Sequence, residues 1–139
     1  MTGPMGSIVT GSLLPQERKP RAHLEDDLQR AVCQYLRWSL PADAEYFAIP
    51  NGGLRHGRAA ARLAGQGLRA GIPDLCVVHH GSAYFIELKS AAGALSEVQR
   101  QMRRKLEYCG CAVVTCKTLA CVENSLIELG IPLRTRVSA

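Results

Sequence analysis

The stretch GIPDLCVVHHGSAYFIELKS, Gly71–Ser90, places three charges inside strand-like sequence. Apolar residues surround Asp74, Glu87 and Lys89. Burying a carboxylate costs several kcal/mol unless something pairs with it. The stretch divides into two strands, PDLCVVHH and AYFIELKS, joined by a turn near His80–Ser82. Glu87 and Lys89 stand two apart, so they share one face, and Ile86 and Leu88 turn to the core. Counting outward from the turn sets Asp74 across from roughly positions 86 to 89. Asp74, Glu87 and Lys89 then converge at one end of a hairpin. Two carboxylates so close repel, and a divalent cation between them removes the repulsion. Hard oxygen ligands favour magnesium or manganese. A lysine beside such a cation can orient a water or stabilise developing negative charge, which suits attack on a phosphodiester. Spacing leaves one alternative open: a surface hairpin with an ordinary Glu–Lys pair.

Working outward, LEDDLQRAVCQYLRWSL has apolar residues at Leu24, Leu28, Ala31, Val32, Tyr35 and Leu36, a helical spacing that Pro41 ends. Glu25 lies on that apolar stripe, where the same cation is a candidate partner. The other reading of Glu25 is a first-turn acid favoured by the helix dipole. AEYFAIP reads as a strand, NGG as a turn, and RHGRAAARLAG as a helix with a basic face. SEVQRQMRRKLEYCG reads as a helix capped by Ser96 and stopped by Gly110. CAVVTC is a strand, and TLACVENSLIELG a last helix. Gln99 borders the apolar face of its helix, and SEVQ is also a capping box. The order α, β, α, β, β, α, β, α predicts an α/β domain with one central sheet flanked by helices. Residues 1–21 read as a polar arm, 22–130 as the folded domain and 131–139 as a C-terminal tail.

The 139 residues suit one domain, and a hydrophobic share of 47% with only 5% aromatic predicts an aliphatic core. No apolar run approaches the roughly 18 residues of a membrane span. No charged start with an apolar stretch and cleavage site suggests secretion. The six cysteines form no C-x-x-C pair and read as reduced thiols, not as a zinc or disulfide framework. The formal net charge of +5 is compatible with nucleic acid without requiring it.

Glu25, GIPDL, IELK and SEVQ together, with PNGG at Pro50–Gly53 and GLRAGIPDL at Gly67–Leu75, resemble the PD-(D/E)xK nuclease superfamily. More narrowly they resemble its VRR-NUC (virus-type replication-repair nuclease) family, over residues 22 to about 130. The resemblance implies a restriction-endonuclease-like fold with a central mixed β-sheet. It implies Asp74 and Glu87 as main ligands of Mg2+ or Mn2+, completed by the Leu88 carbonyl and by Glu25 directly or through water. Lys89 would be the catalytic lysine, and Gln99 would help position the attacking water or the scissile phosphate.

Basic residues gather at Arg55, Arg58, Arg62 and Arg69, then at Arg100, Arg103, Arg104 and Lys105. They are candidate phosphate contacts or else solvated helix faces, and Asn51 of PNGG joins the DNA-facing set. The length is that of free-standing phage or bacterial family members, which resemble Holliday-junction resolvases and act as homodimers, so a cytoplasmic location in a bacterial or phage-infected cell is expected. The expected function is therefore structure-selective, junction-resolving DNA cleavage. The apolar residues Ile127, Leu129, Ile131 and Leu133 are candidates for a dimer interface. Alternatives are a flap or nicking endonuclease, a restriction-like nuclease subunit, or an inactive DNA-binding module.

Overall fold

The computed structural model describes residue 3, residues 21–50 and residues 57–137. Eight elements follow in the expected order: α1 (Arg21–Ser39), β1 (Ala44–Ala48), α2 (Gly57–Gly65), β2 (Leu75–His79), β3 (Ser82–Leu88), α3 (Glu97–Tyr108), β4 (Ala112–Cys116) and α4 (Leu119–Glu128). The four strands form one sheet in the order β1-β2-β3-β4. β1, β2 and β3 run antiparallel, and β4 lies parallel to β3. A parallel neighbour needs a crossover, and α3 supplies it. The sheet is therefore mixed and flanked by helices, as expected. No helix among the described residues is long and apolar enough to cross a membrane.

One sheet face carries the main core. Val32, Leu36 and Leu40 of the α1 stripe pack with Leu75, Val77, Ile86, Leu88 and Cys116, and with Val122 and Leu126 of α4. The four-residue spacing of Leu28, Val32, Leu36 and Leu40 puts them on one side of the helix. Leu24, expected on that stripe, is 45% exposed. α1 also starts earlier than expected, at Arg21, so Glu25 falls in the second turn and no acid occupies the first. The dipole reading of Glu25 loses its basis, because that effect fades beyond the first turn.

On the opposite face, α3 packs beside β4 and reaches β3 at Glu87. Ser96 accepts a hydrogen bond from the Gln99 amide, and the Gln99 side chain accepts one from the Ser96 amide, so the capping box is complete. α2 has no buried residue. Cys76 and Cys116 are buried, whereas Cys109 is exposed.

The segment read as a C-terminal tail is anchored as far as Val137. Ile131 is 2% exposed within the core, and Leu133 packs against it. Ile131 is therefore not available for a dimer interface, and Leu133 is half-buried. Ile127 is exposed and Leu129 half-buried. The Arg134 amide donates to the Ser39 carbonyl at 2.7 Å, and the Val137 amide to Glu123 Oε2 at 2.6 Å. Tyr35 Oη donates to the same Glu123 oxygen at 2.7 Å. These bonds follow from tertiary contact, which local pattern does not reveal.

Gly71 sets the approach of the loop before β2. Its φ is +78°, and a Cβ there would lie 2.5 Å from the carbonyl oxygen of Val98 in the first turn of α3. Both the backbone conformation and the contact require glycine. Gly71→Ala is expected to lower folding stability by more than about 1 kcal/mol, measured by chemical denaturation. Wild-type stability would show that the loop does not rest on α3 in this way.

Candidate active site

The loop and the hairpin bring the expected charges together. Leu75 pairs with Ile86, so the next residues outward, Asp74 and Glu87, stand opposite each other. Asp74 Oδ2 accepts a hydrogen bond from the Leu88 amide at 2.7 Å. Glu87 is 4% exposed, and each of the two carboxyl groups alters the titration of the other. Lys89 shares the Glu87 face, with Nζ 3.6 Å from Glu87 Oε1. Gln99 Nε2 donates to that same oxygen at 2.8 Å. Thus one side chain fills both roles read for it: its carbonyl end caps α3 and its amide end holds Glu87.

Glu25 enters from α1. Its Oε1 accepts from the Ser90 amide at 3.3 Å, and its negative charge raises the pKa of Asp74. Gly93 makes room for this approach: a Cβ there would lie 3.2 Å from Ser90 Oγ and 3.3 Å from Glu25 Oε1. Ser90 and Gly93 were not singled out in the sequence. Their only signal is the run of small residues after IELK.

The electrostatics are those of an acid pair held out of water. Burial, and next the neighbouring Asp74, push Glu87 from its ordinary 4.5 up to about 8, against the opposing pull of Lys89. Burial likewise raises Asp74, although its bond from the Leu88 amide opposes this. Two acids on one side of a hairpin end, with the charge of Glu25 also felt at Asp74, outnumber the single ammonium of Lys89. Ser90 Oγ is buried with no hydrogen-bond partner. The donor set of Asp74, Glu87 and Glu25 is all hard oxygen, which fits a magnesium-class cation.

The basic residues divide into two kinds. Arg58, Arg62 and Arg69 are exposed, the first two on α2. Arg100 and Arg104 pair with Glu97 at 3.1 and 3.3 Å, and Arg103 pairs with Glu107 at 2.8 Å. Arg103 also donates to Thr115 Oγ1 at 2.9 Å, beside a narrow crevice that reaches Gly71, Glu87 and Gln99. Asn51 and Arg55 lie outside the described residues.

A family model, the VRR-NUC domain, matches residues 16–119, which span every acid of the site together with Lys89 and Gln99. The chain belongs to the VRR-NUC domain family. A solved VRR_NUC domain is similar at 18% identity, with a TM-score of 0.51, over 76% of this chain and 95% of that one. At that identity the likeness speaks for the fold. No curated protein matches the chain. VRR-NUC membership implies a nuclease of the PD-(D/E)xK type that uses a divalent metal.

The acid pair makes stability pH-dependent. Between pH 4.5 and about 8 the folded chain keeps a proton on Glu87 that the unfolded chain has lost. The metal-free domain should therefore lose stability as pH rises through that window, because the native state binds more protons there. Glu87→Gln should flatten the slope, measured by denaturation at a series of pH values. Equal slopes for wild type and variant would remove Glu87 from this account.

Proposed function

We propose that this VRR-NUC domain is a magnesium- or manganese-dependent endodeoxyribonuclease that selects DNA by shape and resolves four-way junctions as a homodimer. The observation that supports the chemistry is the buried Asp74–Glu87 pair with Lys89 beside it. Asp74, Glu87, Glu25 and the Leu88 carbonyl would hold the cation. When bound, that cation supplies a Lewis acid for the scissile phosphate and makes a metal-bound water more acidic.

The remaining work falls to the chain itself. Gln99 fixes Glu87 Oε1 through its amide, and its own position is fixed by the α3 cap, so the carboxylate cannot swing away. The Leu88 amide fixes Asp74 in the same way. Lys89 places an ammonium beside the carboxylates, where it can orient the attacking water and stabilise the charge that builds on the phosphate. Arg58, Arg62 and Arg69, unencumbered by acids in the ion pairs described above, are suited to phosphate contacts that carry no sequence information. Arg100, Arg103 and Arg104 would have to exchange glutamate for phosphate to do the same.

A four-way junction as substrate requires more than one copy of the chain. Each chain presents one such constellation among the described residues, and a junction needs two symmetric cuts, which a C2 dimer provides. Purified protein on four-way, flap, nicked and linear DNA, with and without magnesium or manganese, tests the reading. Paired incisions of the four-way form, needing metal, are expected. Lys89→Ala should reduce the rate by about 10²–10³-fold or more with little change in DNA binding. Wild-type cleavage by that variant would refute the role of Lys89. Single nicks by a monomer would refute the junction assignment and leave a nicking nuclease.

A further inference from the structure

A second group of ligand-type side chains sits at the other end of the β2–β3 hairpin. His80 and Gly81 form its two-residue turn, with φ of +47° and +78°. Positive φ at both positions is the type I′ geometry, which usually takes Asn-Gly. His80 is the one non-glycine residue with positive φ among the described residues. Neighbouring side chains on a regular strand point to opposite faces. The left-handed turn at His80 breaks that alternation. The His79 and His80 rings stack instead, with centroids 4.0 Å apart and planes 16° apart.

Both rings meet one carboxylate. Ala44 pairs with His79, so Asp43 falls across from His80. His80 Nε2 hydrogen bonds to Asp43 Oδ2, and His79 Nε2 lies 3.5 Å from Asp43 Oδ1. One ligand atom from each of the three residues lies within 4.8 Å of the others. The His79 side chain is only 9% exposed, and its Nε2 is buried with no hydrogen-bond partner. At 3.5 Å the carboxylate is near enough to attract that nitrogen, but it makes no hydrogen bond to it. Buried polar atoms are nearly always satisfied, so an orphan aimed into a ligand cluster needs an explanation.

We propose that Asp43, His79 and His80 form a binding site for a divalent cation of the zinc class, separate from the oxygen-lined site of Asp74 and Glu87. Two imidazole nitrogens and one carboxylate oxygen suit zinc, whereas magnesium prefers oxygen alone. Zinc–ligand bonds of about 2.0–2.1 Å at tetrahedral angles put ligand atoms about 3.3 Å apart, close to the separation of His79 Nε2 from Asp43. His80 is 70% exposed, so its ring can turn to point its nitrogen at the shared centre while His79 stays fixed. His79 lies five residue steps along from Asp74, about 16 Å at ~3.3 Å per residue, so the two sites do not share ligands. The bound cation would tie the corner before β1, an edge strand, to the β2–β3 turn.

Calorimetric titration of zinc chloride into the full chain, with excess magnesium present, tests this. One zinc per chain is expected, together with a rise in Tm. His80→Ala and Asp43→Asn alter surface positions and should fold. Each should weaken zinc binding at least about tenfold, as loss of even an indirect metal partner does. Asp74→Asn should leave zinc binding unchanged. His80→Ala should retain its magnesium-dependent nuclease activity. Absence of zinc binding overturns the proposal. So does unchanged affinity in both His80→Ala and Asp43→Asn, or loss of zinc binding in Asp74→Asn.

Discussion

Two carboxyl groups face each other across the open end of the β2–β3 hairpin, one of them almost wholly out of water. Such a pair is costly, and the local structure is arranged to keep it in place. The Leu88 amide holds Asp74, and Gln99 holds Glu87. Gln99 is itself held by the α3 cap. Gly71 lets the loop carrying Asp74 rest on that same helix end. A chain selected for stability alone would gain by placing apolar residues here, since buried ionic groups are weak stabilisers. Under the proposed function the arrangement is a ligand cradle whose stability is partly given up until a cation arrives.

Much of this was legible in the sequence, because the deciding relations are local. A two-residue turn fixes the register of the strands beside it, and register alone sets Asp74 opposite Glu87. Alternation on a strand puts Lys89 on the Glu87 face. A capping box is recognisable from four residues, SEVQ, and here it also brings a side-chain amide to the site. The two readings of Gln99 looked like rivals only because sequence cannot show that one side chain has two ends in use.

What stayed hidden depends on distant contacts. The strap formed by residues 131–137 closes onto Ser39 through bonds that span more than half the chain, and onto Glu123 fourteen residues back. That closure puts Ile131 in the core, although an apolar residue beyond a helix-stopping glycine suggests a free surface. The early start of α1 rests on residues before Leu24 that carry no strong cap. The basic run on α3 reads as a candidate phosphate-binding face, but Glu97 and Glu107 lie one or two turns away from the arginines and pair with them. His79 and His80 read as the end of a strand running into a turn, because nothing local shows that Asp43 lies across from them.

The VRR-NUC family assignment and the geometry meet at the acid pair, so the cation it should hold is the most direct test. Calorimetric titration of magnesium or manganese at pH 7, in buffers of different ionisation enthalpy, counts the protons released on binding. Glu87 is raised to about 8, so the pair should give up about one proton per cation. Binding and proton release should both be lost in Asp74→Asn. A wild-type protein that binds no divalent cation, or binds one without releasing a proton, would contradict the claim that the buried carboxyls exist to hold it.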